Sequence, residues 1–182
     1  MTEEQKPGRL EILVIDPDPD LGELLGEWIE ETGADATTIT DGLEGIREFN
    51  EKVKNKMPYD GVIIHDDVIF YDCLGGGLHI PAASTAEVYL AIKKSSPKTP
   101  VYILTRFPID IPRLDKNRYM KLRAEIQELN HGQQSNPDEE LKPENVIPWP
   151  FGCEKIFDIS NQIRSQKYDT ENPPTPQRTY QS

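Results

Sequence analysis

Short apolar runs without polar alternation, each followed by an amphipathic helical stretch, constrain this chain more than any other feature. The first run, Leu10–Ile15 (LEILVI), is mostly apolar and leads into Asp16. Strict alternation would mark a strand with one wet face, whereas a run like this fits a strand covered on both faces, as in a parallel sheet. The helix after it has a defined start and stop. Asp18 is placed to cap it, Pro19 sits at its first position, and Asp20 complements the positive end of its dipole. Leu21, Leu24, Leu25, Trp28 and Ile29 fall on one apolar stripe, and Gly33 closes the helix.

The unit recurs along the chain. Ala36–Ile39 is a short β-branched strand, and a helix from about Asp41 to Val53 carries Leu43, Ile46, Phe49 and Val53. Gly61–His65 (GVIIH) is another buried strand, leading into Asp66 and Asp67. Ser84-Thr85-Ala86-Glu87 reads as a capping box that opens a helix to Lys94, and Val101–Thr105 (VYILT) is the fourth strand. An amphipathic stretch follows from about Arg113 to Leu129, with Leu114, Leu122, Ile126 and Leu129 as its apolar side. His131–Pro143 has the composition of a surface loop. Asn145–Pro148 is a very short fifth strand, and Cys153–Ile163 a closing helix that carries Ile156, Phe157, Ile159 and Ile163.

This alternation implies an α/β fold, a doubly wound five-stranded parallel sheet with helices on both faces. Functional groups in such sheets collect at the carboxyl ends of the strands, where the strand order switches. Asp16, Asp66 and Thr105 each follow the last apolar residue of a strand and are expected to converge on one crevice. Each also has a plainer reading: Asp16 as a helix-start acid, Asp66 and Asp67 as a solvated loop start, Thr105 as a turn threonine.

Composition removes several classes of function. Within 182 residues, 32 acidic side chains against 20 basic ones leave a net charge of −12, which repels nucleic-acid phosphates and anionic lipid. No segment approaches the roughly 18 apolar residues of a spanning helix, and the polar, acidic start has no signal-peptide pattern, so a cytoplasmic protein is expected. Cys73 and Cys153 make no disulfide framework, and His65, His79 and His131 have no zinc-site spacing. Gly75-Gly76-Gly77 lacks the Lys-Ser/Thr of a phosphate loop and reads as a turn. Val68-Ile69-Phe70-Tyr71 reads as local core, with a docking patch as the alternative. Residues 1–8 are expected to be disordered, as is the tail from about Ser165 to Ser182, which holds three prolines and no apolar periodicity. The folded body is then 9–164.

The order of these motifs resembles the receiver domain of two-component response regulators over roughly residues 9–164. ILVIDPDPDL at Ile12–Leu21 resembles the receiver's first strand and acidic turn, and DGVIIHDD at Asp60–Asp67 its third strand with the phosphoacceptor. VYILT at Val101–Thr105 resembles the fourth strand with its switch threonine, and WPF at Trp149–Phe151 stands in the place of Lys-Pro-Phe. The resemblance implies a flavodoxin-like three-layer sandwich, Asp66 as phosphoacceptor, an acidic pocket of Asp16, Asp66 and Asp67, and Thr105 as switch. It also implies Mg2+ on Asp16 and Asp66 if that pocket functions, and no other cofactor.

Departures from the pattern fall on the charge-handling positions. Pro17 stands where the second upstream acid belongs, Trp149 where the lysine belongs, and Val146 where an aromatic residue belongs. His65 or Asp67 would take the acceptor place only with a one-residue shift, which turns the strand's faces over. The separations from Asp66 to Thr105 and from Thr105 to Trp149 are both longer than in the family, so the resemblance implies insertions at about 67–83 and 107–144. The expectation is a stand-alone, non-enzymatic signalling module that binds a protein partner or a second copy of itself, without normal aspartyl phosphorylation. Two alternatives remain open: a single-domain regulator that accepts phosphate on Asp66, and a phosphohydrolase resembling the haloacid dehalogenases that uses Asp16 and Asp18. The motif order disfavours the second.

Overall fold

The computed structural model describes residues 9–66, 83–105, 114–130, 140–148 and 151–171. Five parallel strands, β1 (Glu11–Ile15), β2 (Asp35–Ile39), β3 (Gly61–His65), β4 (Val101–Thr105) and β5 (Val146–Pro148), form one sheet in the order β2-β1-β3-β4-β5. Five helices connect and follow them: α1 (Pro19–Glu31), α2 (Gly42–Lys54), α3 (Thr85–Ser95), α4 (Leu114–Leu129) and α5 (Cys153–Glu171). The expected doubly wound α/β architecture is therefore the observed one.

Alternation along the strands sorts the core into two layers. Leu13, Ile15, Val62, Ile64, Val101 and Ile103 face Phe49, Val88, Ile92, Leu122 and Ile126 of α2, α3 and α4. Ile12, Val14, Ile63, Tyr102, Leu104 and Ile147 face Leu25 and Ile29 of α1 and Ile156, Ile159 and Ile163 of α5. β1, β3 and β4 have apolar residues on both sides because both sides are covered, which accounts for their lack of polar alternation. Each fully buried aliphatic side chain contributes roughly 1.5–3 kcal/mol by leaving water.

Local signals place the helix ends. The Asp18 carboxylate accepts from the Asp20 and Leu21 amides with Pro19 at the first turn, and Ser84 and Glu87 form the reciprocal capping box. Gly33, at φ +80°, ends α1 in the left-handed region that a residue without Cβ adopts cheaply.

Three expected core leucines are corrected. Leu24, Leu43 and Leu129 are exposed, because the buried stripe of α1 runs through Gly22, Leu25, Gly26 and Ile29, that of α2 through Gly45 and Phe49, and that of α4 through Leu122 and Ile126. Small glycines at Gly26 and Gly45 let α1 and α2 sit close to the sheet, against Thr38 and Ile15.

The end of α5 is also corrected. The helix runs to Glu171, past the boundary expected at Ser165. Polar contacts rather than apolar ones hold the added turns: Arg164 donates to the Thr32 carbonyl at 2.9 Å, and the Lys167 ammonium meets Asp60 Oδ2 at 3.0 Å. Asp67, Val68–Tyr71, Cys73, Gly75–Gly77, His79, His131 and Trp149 lie outside the described residues, as do residues 1–8 and 172–182.

Candidate functional site

The strand order doubles back between β1 and β3, so the carboxyl ends of β1, β3 and β4 border the place where such sheets bind ligands. Ile15, Ile64 and Ile103 share one rung. Asp16 follows Ile15, His65 follows Ile64, and Thr105 ends β4 beyond Leu104, the partner of His65. Three of the polar residues singled out from sequence, Asp16, Asp66 and Thr105, thus stand at one rim on adjacent strands.

Asp16 is 1% exposed. Its amide donates to the Ile39 carbonyl at 2.9 Å, which fixes the chain at the end of the β1–β2 ladder. Its Oδ1 accepts the Asp18 amide at 2.9 Å and so shapes the turn into α1. Asp18 Oδ1 accepts from the Asp20 and Leu21 amides and caps α1.

His65 is the residue that sequence reasoning undervalued. Its ring is 1% exposed, and Nδ1 lies 3.2 Å from Asp16 Oδ1. Among the described residues, His65 Nε2 and Asp16 Oδ2 are buried without a hydrogen-bond partner. Two buried polar groups lean on each other while their outer atoms stay unsatisfied, an arrangement seen where polar chemistry matters more than packing. The signal was present in GVIIH, a polar ring ending an otherwise apolar strand, but its meaning depended on knowing that β1 and β3 are neighbours.

Asp66 and Thr105 are held differently. Asp66 is buried, and its backbone carbonyl accepts from the Thr85 hydroxyl at 3.3 Å, which ties the end of β3 to the first turn of α3. Thr105 is fully buried, and its hydroxyl donates to the Ile147 carbonyl of β5 at 3.3 Å. Alternation turns Thr105 to the face opposite His65. Asp67 and Trp149, the other two positions expected at this rim, are outside the described residues.

The crevice matches magnesium poorly. That ion takes oxygen ligands in near-octahedral geometry and keeps several waters. Here Asp16 Oδ1 already serves two groups, Pro17 offers no carboxylate, and the adjacent side chain is an imidazole in a dry setting. Among the described residues no three His, Cys, Asp or Glu side chains cluster as a metal requires.

No protein-family model matches the chain, and no curated protein matches it. Solved structures do. A response regulator receiver domain protein from Clostridium thermocellum is 20% identical, with a TM-score of 0.57 over 87% of this chain and 97% of that one. The fold is that of a receiver domain. The receiver domain of a Francisella response regulator is 18% identical, with a TM-score of 0.54 over 87% of this chain and 99% of its own. The signal receiver domain of an HD domain-containing protein from Pseudomonas fluorescens gives a TM-score of 0.58 at 15% identity, over 94% and 99%. Among the described residues no helix is long and apolar enough to cross a membrane.

Proposed function

We propose that this chain is a receiver-like signalling module that works by binding a protein partner, without normal phosphorylation of Asp66 and without an enzymatic activity of its own. One observation carries the reading. The acid that should open the phosphoryl site, Asp16, is buried and committed within the chain, to the Asp18 amide and to His65. A phosphoryl group brings about two negative charges, and its transfer needs a cation or fixed donors to disperse them. Pro17 removes one carboxylate for that cation, and the residue in the lysine's place is Trp149, whose indole has a single neutral N–H. Thr105, the remaining oxygen donor, gives its hydrogen to Ile147. Without charge dispersal the module conveys information through its surface and the partner it holds. The acidic balance of the whole chain favours a protein partner over nucleic acid.

The retention of Asp66 at the end of β3 favours the second reading, a phosphorylatable regulator. Incubation with acetyl phosphate and magnesium, followed by intact-mass spectrometry, separates the two. The mass is expected to stay unchanged. An added phosphoryl group that disappears in Asp66→Asn overturns the proposal.

A further inference from the structure

We infer that His65 holds Asp16 in the place where a receiver crevice would hold a divalent cation, so that the chain supplies its own partner for this acid and excludes magnesium. The inference rests on reading the crevice as the receiver's phosphoryl site, as proposed above. Asp16 Oδ1 accepts the Asp18 amide at 2.9 Å and stands 3.2 Å from His65 Nδ1. Both of its lone-pair directions are thereby used. Only Oδ2 remains, and it is buried. Magnesium dehydrates reluctantly and would need several waters beside that one oxygen. Asp16 and His65, each 1% exposed, leave those waters no room.

Two residues act together. Pro17 takes away the second carboxylate, and His65 sits at the flank from which a cation would approach Asp16 from β3. An imidazole is also a nitrogen donor, suited to softer metals than magnesium. Among the described residues no third ligand stands close enough to build such a site. His65 and Asp16 extend the same rung of adjacent parallel strands, so the sheet itself fixes their contact. The ring Nε2 points away from Asp16 and lacks a partner, which makes His65 a positioning residue for Asp16 rather than a chelating one.

The test uses manganese as a paramagnetic stand-in on the unaltered protein, with amide resonances as readout. The signals of Asp16, Asp18 and Asp66 are expected to broaden no more than those of distant acidic surface residues. Selective broadening of these three overturns the inference. Magnesium titrations of Pro17→Asp, His65→Ser and the double variant follow. The double variant is expected to bind about tenfold or more tightly than the unaltered chain, the scale at which groups around a metal tune affinity. A folded double variant with no gain also overturns the inference; if it does not fold by circular dichroism, the manganese measurement decides alone. Phosphorylation of Asp66 without cation binding at Asp16 would defeat the proposed function and leave this inference standing. Cation binding without phosphorylation would do the reverse.

Discussion

Asp16→Ala tests whether the acid at the end of β1 is a structural partner or a group kept ready for a ligand. The substitution removes the acceptor of the Asp18 amide at 2.9 Å and the neighbour of His65 Nδ1 at 3.2 Å. His65 is then left with both ring nitrogens unpaired in a site that is 1% exposed. The two contacts to this carboxylate, at about 1.5–3 kcal/mol each, amount to about 3–6 kcal/mol. The loss of Oδ2, already without a partner, returns about 1–2 kcal/mol of desolvation. The net loss is about 1–5 kcal/mol, a large share of the roughly 5–15 kcal/mol that holds a domain together. With a urea dependence of about 2 kcal/mol per molar, the midpoint falls by about 0.5–2.5 M at unchanged slope. Asp16→Asn keeps an acceptor at Oδ1 and is expected to recover part of that loss. A midpoint that is unchanged or raised in Asp16→Ala would refute the reasoning, because only an acid under strain for a ligand's sake improves the fold by leaving.

Three further outcomes follow from the packing and the charges. A Cβ on Gly61 would overlap Ile163 Cδ1 and lie 3.0 Å from its Cγ1, so Gly61→Ala is expected to cost about 1–3 kcal/mol in urea unfolding. Adding Ile163→Val, which deletes Cδ1, should restore part of it, and no rescue would contradict the clash. Lys167→Ala breaks the half-buried pair with Asp60, with a global cost of about 1–2 kcal/mol and faster amide exchange in the last turns of α5. Unaltered protection there would mean that something else holds the helix end. Burial raises Tyr59 and Tyr102 above 10.0, and the hydrogen bond from Lys52 to Glu11 raises Lys52 above 10.5. The folded chain therefore grips these protons more tightly than the unfolded one. The stability they contribute is fully present below about pH 10 and is lost as the pH climbs through the folded values. Thermal melts should fall across that alkaline range, less steeply in Tyr59→Phe, and a rise would contradict the assignment.

Much of the fold could be read from neighbouring residues because its determinants are local. GVIIH and VYILT carry apolar residues on both faces, Asp18 and Ser84 cap within their own turns, and Gly33 ends α1 through its backbone. Strand-end position alone also located Asp16, Asp66 and Thr105 at the carboxyl rim. What escaped depends on distance along the chain. The contact between His65 and Asp16 joins residues far apart in sequence and follows only from β1 lying beside β3. The last turns of α5 look like a polar tail in composition, and their hold is the pairing of Lys167 with Asp60 and of Arg164 with the Thr32 carbonyl. The exposure of Leu24, Leu43 and Leu129 escaped for a related reason. A helical stripe read from sequence is wide enough to include a residue at its edge that the packed face then leaves in solvent.

The central claim is that the strand-end crevice is satisfied by the chain's own groups and does not switch with phosphate. Amide correlation spectra recorded with and without beryllofluoride and magnesium address it most directly, since the fluoride complex mimics an aspartyl phosphate. The account predicts superimposable spectra from β1 through α5. Shifts centred on Asp66 that spread to Thr105 and β5 would contradict it.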